Sequence, residues 1–218
     1  MFKNRQEAGL LLAEKITQEI EKLEIEKLRE TMIVLGIPRG GIVVAKQVAE
    51  ILNCPLDIIV VRKIGAQGNQ ELAIGAIGET NGAKYLDSRM VQELGIDSTY
   101  LEQAIKAERL EIKRREKIYR QGKEPLLLKN KTIIIIDDGA ATGATMIAAA
   151  REVWNNDPKR VIIAVPVVAK DTLVKLEKEA DEVIYLEAPE QFFSVGQFYE
   201  EFGQLDDDKV IRILNSKY

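Results

Sequence analysis

A run of one threonine and four isoleucines, Thr132 to Ile136, constrains what this chain can build more than any other stretch. β-Branched side chains are stiff at χ1 and suit a strand, and a run with no polar interruption suits a buried one. Two acids, Asp137 and Asp138, arrive at its carboxyl end. A turn of small and hydroxylic residues follows, Gly139-Ala140-Ala141-Thr142-Gly143-Ala144-Thr145, and an apolar helix pattern begins there. Small residues let backbone amides approach an anion closely. The hydroxyls of Thr142 and Thr145 add donors, and the helix N-terminus adds its dipole. The turn therefore reads as a phosphate cradle with two carboxylates at its mouth. Carboxylates repel phosphate, so their useful partners are hydroxyls, or a metal bridging to the same ligand. A sugar phosphate with two free hydroxyls satisfies both halves. The alternative is a plain strand–turn–helix unit with a capping Asp, which explains neither the second acid nor Thr-Gly-x-Thr. A P-loop is excluded by the missing Gly-Lys-Ser/Thr, and a dinucleotide fingerprint by the missing Gly-x-Gly-x-x-Gly.

Strand and helix patterns alternate around this unit. Residues 4–29 carry apolar positions at roughly helical spacing among many Glu and Lys, predicting an amphipathic helix with a break near Leu23. Strands are predicted over Thr31–Ile37, Leu56–Val61, Lys131–Ile136, Arg160–Pro166 and Glu182–Leu186. Helices are predicted over Ile42–Leu52 and Ser98–Gln121, near 143–155 and 170–180, and over Val210–Leu214. Residues 62–82, rich in Gly and polar residues with a short apolar stretch at Leu72–Ile77, read as a mobile loop bordered by short strands. The fold class is α/β, with a mainly parallel, doubly wound sheet, and ligands belong outside the carboxyl ends of its strands. The division predicted is an N-terminal helix at 1–30, a core at 31–186 and a C-terminal segment at 187–218.

Composition removes several function classes. The sequence contains no histidine and one cysteine, Cys54. Histidine-assisted nucleophiles, His-ligated zinc, thiolate clusters and internal disulfides are thereby excluded, and a reducing cytoplasm is the expected setting. Proton transfer would have to use carboxylates, lysine, tyrosine or the substrate itself. A net charge of −4 supplies no general field for nucleic acid, so nucleic acid is not an expected partner. The longest apolar stretch, Val161–Ala169, is too short to span a bilayer. No signal peptide is visible.

Two further loops carry chemistry. Pro38-Arg39-Gly40-Gly41 follows the first core strand and precedes a helix. Its glycines free the backbone to turn amides toward an anion, and Arg39 adds a charged fork. An ordinary strand-to-helix turn is the alternative. Arg62 and Lys63 end the next strand as adjacent cations, where a solvated basic turn is again the alternative.

Hydrophobics, two acids, three variable positions and Thr-Gly-x-Thr together resemble the signature of type I phosphoribosyltransferases, which use phosphoribosyl pyrophosphate (PRPP). The resemblance covers about residues 32–205. Within it, Pro-Arg-Gly-Gly, Val-Arg-Lys-Ile-Gly and Glu-Leu-Ala-Ile-Gly-Ala resemble one subgroup whose substrates are poorly defined. It implies that Asp137 and Asp138 hold the ribose hydroxyls, and that Gly139, Ala140, Ala141, Thr142, Gly143 and Thr145 wrap the 5-phosphate. Arg39, Gly40 and Gly41 would take the pyrophosphate, with a cis peptide at Pro38–Arg39. Arg62 and Lys63 would neutralise the leaving group. Mg²⁺ is the implied cofactor, held mainly by PRPP and water, with Asp137 and Asp138 as candidate protein contacts. A homodimer and a small nitrogenous acceptor are expected. In 6-oxopurine members an acid precedes Thr-Gly; here that position is Ala141, so a base is sought instead in Glu71 or Glu79.

The family builds an acceptor hood from its chain ends. Of the five Phe and six Tyr of the chain, Phe192, Phe193, Phe198, Tyr199 and Phe202 fall within 187–204. They could stack on a planar base or anchor the C-terminal segment. Asp206, Asp207 and Asp208 read as complements to a helix dipole. A regulator that senses PRPP or a nucleotide without turnover is the second reading of the same pocket. The helix at 98–121 is the one candidate face for nucleic acid, but Glu102, Glu108, Glu111 and Glu116 among its cations suggest a solvated, ion-paired or dimer-forming helix.

Overall fold

The structure, a computed structural model, describes residues 1–22, 31–80 and 82–216, with the Glu71 side chain outside that description. Its centre is a five-stranded parallel sheet in the order β2-β1-β6-β7-β8. These strands are β1 (Met32–Gly36), β2 (Leu56–Ile58), β6 (Thr132–Ile136), β7 (Arg160–Val167) and β8 (Glu182–Glu187). Successive side chains point to opposite faces, and both faces are covered. Ile33, Leu35, Ile133, Ile135, Val161 and Ile163 pack with α5 (Ala144–Trp154) and with Leu176 of α6 (Lys170–Leu176). Met32, Val34, Ile134, Ile136, Ile162 and Ala164 pack with α1 (Arg5–Lys22) and α2 (Gly41–Leu52). That two-sided burial is why the isoleucine run has no polar alternation. Any continuation of α1 toward residue 29, with its break near Leu23, lies outside the described residues.

The 62–82 segment departs from its prediction. Its residues 62–77 form β3 (Arg62–Ala66) and β4 (Asn69–Ile77) of a second, antiparallel sheet, which β5 (Lys84–Leu86) completes beyond the segment. The β3–β4 turn is Gln67-Gly68, with Gly68 at φ 81°. Two of the glycines that suggested a loop, Gly65 and Gly75, are instead sites of close backbone approach. A Cβ on Gly65 would lie 2.5 Å from the Gln70 carbonyl oxygen, and one on Gly75 would lie 2.3 Å from that of Tyr85. Only glycine permits such contacts inside a strand. Ile64, Ile74 and Ile77 bury with Ile112 and Tyr119 of α4 (Ser98–Arg120) and with Val210 and Ile213 of α7 (Asp207–Asn215).

The second predicted strand also shortens. Ile59 still donates to the Gly36 carbonyl at 3.1 Å, but the chain then leaves the parallel sheet toward β3. α3 (Ser88–Glu93), capped by Asp87, was not predicted. The N-terminal residues meet the 198–200 segment: the Phe2 amide donates to the Phe198 carbonyl at 2.7 Å and the Glu200 amide to the Phe2 carbonyl at 2.9 Å. Among the described residues no helix is long and apolar enough to cross a membrane.

Candidate active site

β6 is buried along its whole length, so the chain leaves the core at Asp137 with little freedom. The Asp138 amide donates to Asp137 Oδ1 at 2.9 Å. Burial and the adjacent Asp138 charge push the Asp137 carboxyl well above the ordinary range, with Lys63 a smaller opposing influence. Asp138 Oδ2 accepts from Arg5 Nε at 2.6 Å, and its backbone carbonyl accepts from the Tyr199 hydroxyl at 2.6 Å. Burial, then the Asp138 charge, pushes that tyrosine well above its usual range.

The turn after the acids is fixed against β7. The Ala140 amide donates to the Val167 carbonyl, and the Ala169 amide to the Ala140 carbonyl, both at 2.9 Å. The Thr172 hydroxyl of α6 donates to the Ala141 carbonyl. Gly143, at φ 75°, turns the chain into α5. Among the described residues the amides of Ala141, Thr142 and Gly143 have no protein acceptor. Unpaired donors at a helix start form an anion site, and here a two-carboxylate step adjoins it.

The neighbouring loop, Pro38 to Gly41, enters from β1, the strand beside β6. The Pro38–Arg39 peptide is cis, as the resemblance implies. Its glycines admit the loop against the acids. A Cβ on Gly40 would lie 1.9 Å from Asp138 Oδ2, and one on Gly41 would lie 2.6 Å from the Ile136 carbonyl oxygen. Arg39 Nη1 stands 3.8 Å from Asp207 Oδ1 at the start of α7. The same oxygen accepts from the Tyr119 hydroxyl at 2.7 Å. Burial and that bond raise Tyr119 to about 12.

β3 brings Arg62 and Lys63 to the opposite wall. Arg62 Nε pairs with Glu108 Oε2 of α4 at 2.6 Å, while Lys63 is exposed. The hairpin is pinned to α4, because the Tyr100 hydroxyl donates to the Gly65 carbonyl and accepts from Gln70 Nε2, each at 2.9 Å. Glu71 lies on β4, but its side chain is outside the described residues. Glu79 does not line the cleft. It approaches Glu116 of α4, which burial and then the Glu79 charge raise to about 6. A base role for Glu79 therefore lacks geometric support.

The aromatic cluster divides its labour. Phe192 and Phe198 stack on each other with ring centres 5.0 Å apart, and Tyr199 lies 5.4 Å from Phe2. These anchor the chain ends. Phe193, 86% exposed, and Phe202 line the cleft instead. A cleft of about 1090 Å³ thus gathers the Pro38 loop, Arg62, Lys63, Asp137 to Gly143, Thr145, Phe193 and Phe202. Glu108, Arg115 and Arg5 bear on it without a sequence signal, while the sequence marks Tyr199 and Asp207 only as a clustered aromatic and a helix-dipole acid. The first three belong to charged faces of helices that give them no distinction.

A model of the phosphoribosyl transferase domain matches residues 8–201. The chain belongs to the phosphoribosyl transferase family. Two Mycobacterium tuberculosis proteins, of strains CDC 1551 / Oshkosh and H37Rv, are each 37% identical to it over 99% of this chain, and both bear the name "Putative phosphoribosyl transferase". The chain spans 46% of their length, about half of each. The crystal structure of TT1426 from Thermus thermophilus is 39% identical, covers 98% of this chain and 97% of its own, and superposes with a TM-score of 0.77. In this phosphoribosyl transferase domain a strand–acid–turn–helix unit stands at the carboxyl edge of the parallel sheet.

Proposed function

We propose that the chain binds PRPP with Mg²⁺ and transfers its 5-phosphoribosyl group to a nitrogenous acceptor, releasing pyrophosphate. The observation that carries this reading is the adjacency, in one cleft, of Asp137 and Asp138 to the unpaired amides of Ala141 to Gly143. Those amides suit a phosphate dianion, and the carboxylates suit the two hydroxyls of the ribose that carries it. Arg39, Gly40 and Gly41 from the turn that joins β1 to α2, with Lys63 from β3, offer charge and close backbone approach to the pyrophosphate. In the reaction the acceptor nitrogen forms a bond to C1 as the bond from C1 to the pyrophosphate oxygen breaks. The acceptor's proton goes to solvent or to a base. Positive character at C1 develops beside the two acids. Phe193 and Phe202 offer flat apolar faces to a planar acceptor.

The donor set fits Mg²⁺ in a limited way. Among the described residues no group of three or more carboxylate, thiol or imidazole side chains is placed to hold a metal. Asp137 and Asp138 can supply at most part of an octahedral shell, as expected of an ion carried largely by phosphate oxygens and water. When bound, Mg²⁺ would offset the negative charge of the departing pyrophosphate.

One observation favours binding without turnover: Arg62 is engaged by Glu108 and Arg39 stands near Asp207, so two cations meant for pyrophosphate already face acids. Pyrophosphate release from PRPP and Mg²⁺, measured across a panel of bases and other nitrogen nucleophiles, separates the readings. Release with one acceptor supports transfer. PRPP binding with no release under any condition supports a sensor.

A further inference from the structure

Arg5, in the first turn of α1, reaches three partners from both halves of the site. Its Nε donates to Asp138 Oδ2 at 2.6 Å, and its Nη1 to the Gly203 carbonyl at 3.0 Å. The guanidinium carbon lies 3.8 Å from the centre of the Phe202 ring. The ion pair is nearly out of solvent, with side-chain exposures of 11% for Arg5 and 14% for Asp138. It also lies flush against the Pro38 loop, since a Cβ on Gly40 would come within 3.0 Å of Arg5 Nε as well as striking Asp138 Oδ2. Asp138, Gly40 and Phe202 line the cleft, whereas Arg5 does not. The arginine therefore backs the carboxylate from outside the cleft and does not plug the ligand's place. A carboxylate has about four acceptor positions, so one bond to Arg5 leaves Oδ1 and part of Oδ2 for hydroxyls.

We propose that Arg5 is a positioning residue that acts through Asp138. It holds the carboxylate in its observed orientation against the Gly40 loop, and it ties that orientation to the seating of Phe202 at the acceptor side. Arginine suits both tasks, because its planar fork can hydrogen-bond in its plane and stack on a ring at the same time. The proposal rests on the PRPP reading of the acids.

The test is calorimetric titration of PRPP with Mg²⁺ into the wild type, Arg5→Gln, Arg5→Lys, Asp138→Asn and the double variant Arg5→Gln/Asp138→Asn. Arg5→Gln is expected to weaken binding about 10-fold, the size of a lost charge-assisted bond, with Arg5→Lys in between because it keeps the charge but not the fork. In the Asp138→Asn background, removing Arg5 is expected to change nothing further. An equal loss in both backgrounds would make Arg5 a general structural support and overturn the proposal. Tighter binding by Arg5→Gln would make it a plug and overturn the proposal as well. If Arg5→Gln fails to fold, the cycle is run with Arg5→Lys, and the same comparison decides. A wild type that does not bind PRPP removes the PRPP reading and this proposal with it. A wild type that binds, with an unchanged Arg5→Gln, removes this proposal alone.

Discussion

At the scale of single residues the site is held together by close approach and by charge placed against its preference. Asp137 keeps its carboxyl above the usual range because desolvation and the adjacent Asp138 charge both disfavour its ionised form. Its folded pKa exceeds its unfolded one of about 3.9, so the folded state holds this proton more tightly. The protonated group therefore favours the fold in acid, and that contribution is lost as pH rises from about 4 through the raised folded value. Asp137→Asn removes the cost of ionisation. We expect the variant to be more stable than the wild type at neutral pH and equal to it near pH 3, while binding PRPP less well. Denaturant unfolding at both pH values checks the first part. A variant less stable at pH 7 would contradict the assigned environment. Destabilising groups kept at a ligand site are a common trade of stability for function.

At the scale of elements, the antiparallel hairpin of β3 and β4 positions the cations, and α4 positions the hairpin. Tyr100 is the visible pin. Tyr100→Phe removes bonds to both Gly65 and Gln70 and is expected to cost about 1 kcal/mol. It should also speed amide exchange over residues 62–70 with little change in the central sheet. Exchange unchanged in that segment would show that side-chain packing alone holds the hairpin. This element was also the least legible in the sequence. Gly65, Gly68 and Gly75 look alike along the chain yet act in opposite ways, since one turns the backbone while the others let strands approach. Only the three-dimensional neighbour distinguishes them. The parallel strands were legible because two-sided burial writes itself as unbroken β-branched runs, as in Thr132–Ile136. The Asp137–Thr145 turn and the Pro38 loop were legible because their chemistry is local. Arg5 was not, because its partners lie 133 and 198 positions away. Likewise, nothing in the helical pattern of 98–120 marks Glu108 as the partner of Arg62.

At the scale of the whole molecule, the first residues pair with the 198–200 segment beside the site. Phe2 is buried, pairs by backbone with residues 198–200, and rests against Tyr199, whose hydroxyl holds the Asp138 carbonyl. Phe2→Ala is expected to destabilise the protein by about 3 kcal/mol, the usual cost of emptying a buried phenylalanine site. Because that cavity adjoins the Tyr199–Asp138 bond, PRPP affinity should fall in the same variant even where it is fully folded. Denaturant melts with parallel titrations check both parts, and a stable variant would mean that the ends are only loosely docked. The ends thus serve the site twice, through Tyr199 and through Arg5.

All of this depends on the step of two acids beside a phosphate turn being the place where a ribose phosphate sits. Calorimetric titration of PRPP with Mg²⁺ into the wild type and into Asp137→Asn/Asp138→Asn tests that most directly. The expected result is saturable binding by the wild type, loss of most of that affinity in the double variant, and an intact fold by circular dichroism. Equal affinity in the two proteins, or no binding by the wild type, would contradict it.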